Sequence, residues 1–221
     1  MGCRPGHKIY IRLVGKTIMI NMARDNISTD KRRIQDAEGS SMDFDEATGA
    51  LINISPIGHA LHEGKAFCAH HSDVDLDNTD TLVIAFTTPD TPTWIHMSPR
   101  ASNSVASVFD ILEGPTLTVD SGSEDDITNR NRNSTITSEL LSIETTVQAD
   151  MVTLDPTITG NGTTLHAEVM GGYKNYPGSA LGPDGEYVLR QDTTYAFRLT
   201  GSADNGVASI ELFWHEHVNL A

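Results

Sequence analysis

The residues of this chain best suited to chemistry are its histidines, and the pair nearest the C-terminus has the most telling spacing. His215 and His217 stand two apart in a run that alternates apolar and polar residues, and on a strand positions i and i+2 share a face. Two imidazoles so placed could share a divalent metal if a third ligand arrived from elsewhere. Nothing nearby in the sequence supplies one. A terminal strand with an outward polar face accounts for the pair, so no metal is expected. His59 and His62, with Glu63 following, miss the helix-borne metalloprotease pattern, which needs two His four apart with Glu beside the first.

Other constellations fail in the same way. The stretch His70 to Asn78 alternates Asp73, Asp75 and Asp77 as a calcium loop does. The sixth position, however, is Asn78 where Gly belongs, and the twelfth is Ile84 where a bidentate Glu belongs. An acidic strand or loop remains. No Gly-x-Ser-x-Gly elbow is present, and neither Cys3 nor Cys68 lies in a catalytic signature. Gly160-Asn161-Gly162 and Gly171-Gly172 are turn glycines without the Lys of a phosphate loop. Glu124, Asp125 and Asp126 are neighbouring surface carboxylates, not two carboxyls held across a cleft. No catalytic residue and no cofactor are therefore expected.

The elements that would position these side chains are strands. Thr81 to Thr88 is rich in β-branched and aromatic residues and closed by Pro89 and Asp90, which predicts a buried strand ending in a turn. Thr93 to Met97, Ser104 to Leu112, Leu141 to Val147 and Thr163 to Met170 continue the series. Three more runs follow at Glu186 to Gln191, Thr194 to Thr200 and Val207 to Val218. In the last, Ala208, Ile210, Leu212 and Trp214 share one face while Ser209, Glu211, Phe213 and His215 share the other. Thr194 to Thr200 places Tyr195, Phe197 and Leu199 together, and the two runs are expected to pair as a C-terminal hairpin. No stretch carries helix caps at both ends, and no internal repeat has a fixed period. The fold class expected is all-β: an antiparallel β-sandwich or jelly roll with an extended N-terminal arm.

Composition narrows the function further. The 221 residues carry 15 Lys and Arg against 30 Asp and Glu, for a net charge of -15. That balance excludes a nucleic-acid binder, because phosphate contacts need clustered cations. No apolar run reaches the roughly 18 to 20 residues of a membrane-spanning helix, so no membrane partner is expected. Nor does the N-terminus have the apolar core of a secretory signal, and assembly in a cytoplasm is expected. The charge is uneven: residues 1–33 hold eight Lys and Arg against two Asp, a net of +6, which leaves -21 for residues 34–221. Residues 1–49 accordingly read as a basic arm with an acidic linker, and residues 50–221 as the body. Arg4, Lys8, Arg12, Lys16, Arg24, Arg32 and Arg33 are the arm's candidates for contact with an acidic partner surface. In the body, Asn129, Arg130, Asn131, Arg132 and Asn133 alternate rigid donors with amides that both donate and accept, a composition suited to a subunit interface or to an exposed loop.

Taken in order, several landmarks resemble a family of small virion proteins of tailed bacteriophages. They are His62-Glu63-Gly64-Lys65-Ala66-Phe67, Leu82 to Phe86 with Thr88-Pro89-Asp90-Thr91, His96, Phe109, Glu113-Gly114, and Asn129 to Ser134. Leu189, Thr193-Thr194-Tyr195, Arg198 and the closing Trp214-x-Glu216-His217 complete the set. The likeness spans about residues 59 to 217 and leaves the arm unmatched. Where the family more often has Tyr after this Trp, the chain has His215. The resemblance implies a non-enzymatic decoration or cement subunit on the capsid exterior, a symmetric oligomer, often a trimer, whose partners are the major capsid protein and further copies of itself. A second expectation, from another class, is a tail, baseplate or receptor-binding module gripping glycans through Trp94, Tyr173 and Tyr176.

Overall fold

A computed structural model describes residues 8–13, 16–21, 34–35, 41–42, 55–171, 178–180 and 185–218. The chain divides into two compact units, Met1–Ser55 and Pro56–Ala221. The first holds a four-stranded antiparallel sheet in the order β1 (Lys8–Leu13), β2 (Lys16–Asn21), β3 (Ile34–Gln35), β4 (Ser41–Met42). A small sheet thus occupies the segment expected to be an extended arm. Lys8, Arg12 and Lys16 lie on β1 and β2, whereas Arg4, Arg24, Arg32 and Arg33 fall outside the described residues.

The second unit is an antiparallel β-sandwich. Its elements are α1 (Pro56–Glu63), β5 (Ala66–Leu76), β6 (Thr81–Thr87), β7 (Thr93–Asn103), β8 (Ser107–Glu113), β9 (Thr116–Leu117), β10 (Ser123–Asp126) and β11 (Thr128–Asn129). There follow β12 (Met151–Leu154), β13 (Ile158–Gly160), β14 (Thr163–Met170), β15 (Gly178–Ala180), β16 (Tyr187–Val188), β17 (Thr194–Gly201) and β18 (Gly206–Val218). One sheet runs β10-β12-β6-β17-β8-β14. The other runs β11-β5-β18-β7-β15, with β16 also on β7, and β9 pairs with β13 in a two-stranded sheet. Phe86, Phe109 and Phe197 from the first sheet meet Phe67, Leu212 and Trp214 from the second in one core. Burial of this aromatic and aliphatic surface is the main force holding the sheets together.

The C-terminal strands do not form the expected hairpin. β17 is inserted between β6 and β8, and β18 between β5 and β7. Both edges of each strand are therefore occupied, and the turn 202–205 carries the chain from one sheet to the other. The aromatic faces of the two strands do meet, but across the core.

Three other expectations changed for identifiable reasons. Leu141 to Val147 is not a strand but an irregular segment: Leu141 makes only isolated bridges, one of them with Thr87, and beyond it Ile143 N–H donates to Thr153 Oγ1 and Thr145 N–H to Asp120 Oδ1. β7 continues past Met97 through Pro99, which sits between the stretches paired to β16 and to β15. A proline is tolerated where one strand edge lacks a ladder partner. Finally, the chain contains a helix that capping patterns failed to flag. α1 opens with Pro56 at its first position and closes in a Schellman motif, with Lys65 N–H on Ala60 O at 2.8 Å and Gly64 N–H on Leu61 O at 3.2 Å.

Gly64 has φ +75°, and a Cβ there would lie 2.1 Å from Ser134 Oγ and 2.6 Å from Ser134 Cβ. The Asn129–Asn133 loop packs over this helix end, with Asn129 Nδ2 donating to Gly64 O at 2.7 Å and Asn131 Nδ2 to His62 O at 3.1 Å. Gly64→Ala should therefore cost about 2 kcal/mol or more, from backbone strain and displacement of the loop together. A lowered urea midpoint with an unchanged slope is the expected measurement.

Candidate functional site

The outward face of the β5-β18-β7 sheet concentrates the chain's unusual side chains. Antiparallel register sets His215 opposite His96, His217 opposite Trp94, and Phe213 opposite Cys68 and Ser98. Residues directly opposite in such a ladder project from the same face. Phe213 is half-buried beneath two guanidinium groups, Arg100 at 5.0 Å and Arg130 at 5.4 Å from its centroid, within cation–π range. Beside it the Cys68 thiol is pushed up in pKa by burial, against the opposing pull of Arg130 and Arg132. Cys68 is thus a packed thiol, not a reactive one.

Further along this face three imidazoles gather. The His96 and His215 rings stack with centroids 4.6 Å apart, and those of His96 and His217 lie 4.8 Å apart. One ring nitrogen of each lies within 4.8 Å of the other two. His96 supplies the third group that sequence order could not reveal, since 121 residues separate it from His217. His215 is 7% exposed although it sits on the outer face. Burial first, and the His96 ring second, hold it below the ordinary imidazole range, with Glu186 pulling the other way. It is held neutral, so one of its two ring nitrogens carries the proton and the other a lone pair.

The remaining proton positions follow from the partners. His96 Nδ1–H donates to the Glu186 carboxylate at 2.5 Å, and His217 Nδ1–H donates to the Val218 carbonyl at 3.3 Å. Each contact directs the Nε2 lone pair the other way, and the two Nε2 atoms face each other 2.9 Å apart. Trp94, 39% exposed, flanks His217 at a ring separation of 6.4 Å. Exposed Val188 stands opposite His96 on the other side.

Glu216, between the two histidines, points inward. Its buried carboxylate accepts from Ser138 Oγ–H at 2.6 Å, Trp214 Nε1–H at 3.0 Å and the Glu139 backbone N–H at 3.2 Å. Burial raises its pKa against the opposing effect of these donors. The Trp-x-Glu-His ending thus divides into a core half, Trp214 and Glu216, and a surface half, His217.

The Asn–Arg segment divides as well. Asn129 and Asn131 spend their amides on helix α1 and on their own loop, and Arg130 lies on Phe213, whereas Arg132 and Asn133 are exposed. Of the aromatics expected to grip a glycan, Trp94 stands exposed, and Tyr173 and Tyr176 lie outside the described residues.

A depression of about 530 Å³ lies elsewhere, lined by Asp120, Glu124, Glu144, Thr145 and Gln148 among others. Thr145 hydrogen bonds hold Asp120 low in pKa, while burial, followed by hydrogen bonding to Asp120, raises Glu144. Compared with protein-family models, curated proteins and solved structures, the chain matches none.

Proposed function

We propose that this protein is a structural component of a tailed-bacteriophage particle, a decoration or cement subunit that binds the outer capsid surface and acts by adhesion without transforming a substrate. The observation that carries the reading is the outer face of the β5-β18-β7 sheet. There Phe213, Arg100, Arg130 and Trp94 form an aromatic and arginine patch on an acidic body. Trp, Phe and Arg are the residues enriched where proteins meet, and arginine stacked on an aromatic ring pre-forms the contact.

The residues that carry the sequence resemblance come together in the folded chain. Asn129 and Asn131 bond to the Gly64 and His62 carbonyls, Tyr195 O–H donates to Glu113 at 2.9 Å, and Thr88 Oγ1–H donates to Thr193 O at 3.0 Å. On a shell, each subunit bridges neighbouring capsid proteins through its patch, with self-association into a trimer as the favoured arrangement. A standard interface supplies several kcal/mol per site after association costs at about 25 cal/mol per Å² of apolar area, repeated over every copy.

A second reading, a tail or receptor-binding module, is favoured by one observation, exposed Trp94 beside polar imidazoles. Imaging of particles that contain the protein separates the two. A lattice of copies over the head is expected; a few copies at the tail tip would overturn the decoration reading and leave the second.

A further inference from the structure

We propose that His96, His215 and His217 form a three-imidazole site for a divalent first-row transition ion of the zinc type. Facing lone pairs carry the inference. With both Nδ1 atoms donating, to Glu186 and to the Val218 carbonyl, the His96 and His217 Nε2 atoms present two acceptors to each other at 2.9 Å. A His217 protonated on Nε2 would trade its 3.3 Å contact with Val218 for a neutral hydrogen bond to His96; with both Nδ1 atoms protonated, a cation between the rings, a proton or a metal, makes the arrangement attractive. Metal-bound histidines typically donate their other ring N–H to a carboxylate or a backbone carbonyl, which fixes tautomer and orientation. Both kinds of partner are in place here.

The third ring adds an independent observation. His215 is 7% exposed, with a nitrogen within 4.8 Å of the other two, and no described residue hydrogen-bonds to either of its ring nitrogens. Tetrahedral coordination at 2.0–2.1 Å places ligand nitrogens about 3.3 Å apart. To reach that geometry the 2.9 Å pair opens slightly and the longer separations, up to 4.8 Å, close. Imidazole-only donors favour zinc, copper or nickel over magnesium or calcium. Exposed Trp94 and Val188 border the cluster, and water or a donor from a bound partner would complete the shell. The ion would clip β7 to β18 at their outer end, and the site is independent of the virion reading.

The test uses the full chain, stripped with a chelator, desalted and titrated with zinc chloride by calorimetry. One ion per chain is expected, with a melting temperature that rises in excess zinc, since an ion bound only by the folded state stabilises it. Histidine side-chain NMR of the unaltered protein should show three rings shifted by zinc and the exposed His59 and His70 unmoved. His96→Gln and His217→Gln should each abolish the isotherm, His70→Ala should retain it, and Glu186→Gln should weaken it by roughly 10- to 100-fold. Absence of saturable binding, binding that survives the double His96→Gln, His217→Gln change, or zinc shifts spread over the exposed rings would overturn the proposal.

Discussion

Trp214→Ala is expected to destabilise the body by about 4 kcal/mol, the range for emptying a large aromatic site from a packed core. The indole is 1% exposed and lies 5.9 Å from the ring of Phe67. It sits on the strand that both β5 and β7 require as a neighbour. A loss of that size is a large share of the 5–15 kcal/mol typical of a folded domain. The substitution also strips Glu216 of its Nε1–H donor at 3.0 Å, so Trp214→Phe, which keeps most of the packing, should cost appreciably less but not nothing. Urea unfolding followed by fluorescence of the remaining Trp94 and by circular dichroism reads both variants. An unmoved midpoint for Trp214→Ala would mean that the indole does not fill the space between the sheets.

Glu216→Leu is expected to cost about 3 to 4 kcal/mol although it replaces a buried acid with an apolar group. The reason is what stays behind: Ser138 O–H, Trp214 N–H and the Glu139 N–H lose their shared acceptor, and unsatisfied buried donors are costly. Glu216→Gln separates hydrogen bonding from charge. Because burial raises the folded pKa of Glu216 above its unfolded value, its contribution is fully present below the ordinary glutamate range. That contribution is lost as pH rises through the raised folded value. The glutamine has no charge to bury. Its stability deficit relative to the unaltered protein should therefore be greatest in acid and shrink as pH rises through that window. A deficit that grew over the same range would show that the carboxylate is held ionised, with its donors outweighing burial.

These two residues show why parts of the molecule were legible in advance. Alternation in Val207 to Val218 is a local property, so it correctly placed Trp214 on the core face. The same alternation assigned His215 to an outward polar face, and it does lie there, yet its ring is 7% exposed. Period two says which side a residue takes, not what later covers that side. The run Leu141 to Val147 failed for a related reason. Its composition suits a strand, but Thr153 and Asp120 offered the Ile143 and Thr145 amides side-chain acceptors, and pairing stopped at the isolated bridges of Leu141.

Strand positions, the all-β class and the apolar face of the last strand are written in short windows of residues, because side-chain sterics and burial act at that range. Strand partnership is not. β17 and β18 pair with strands roughly 100 residues earlier, and that choice is settled by filling one shared core, which a hairpin between them would leave open. The same closure brings His96 within 2.9 Å of His217. A histidine pair that had no third partner in the linear chain gains one only when two distant strands lie side by side.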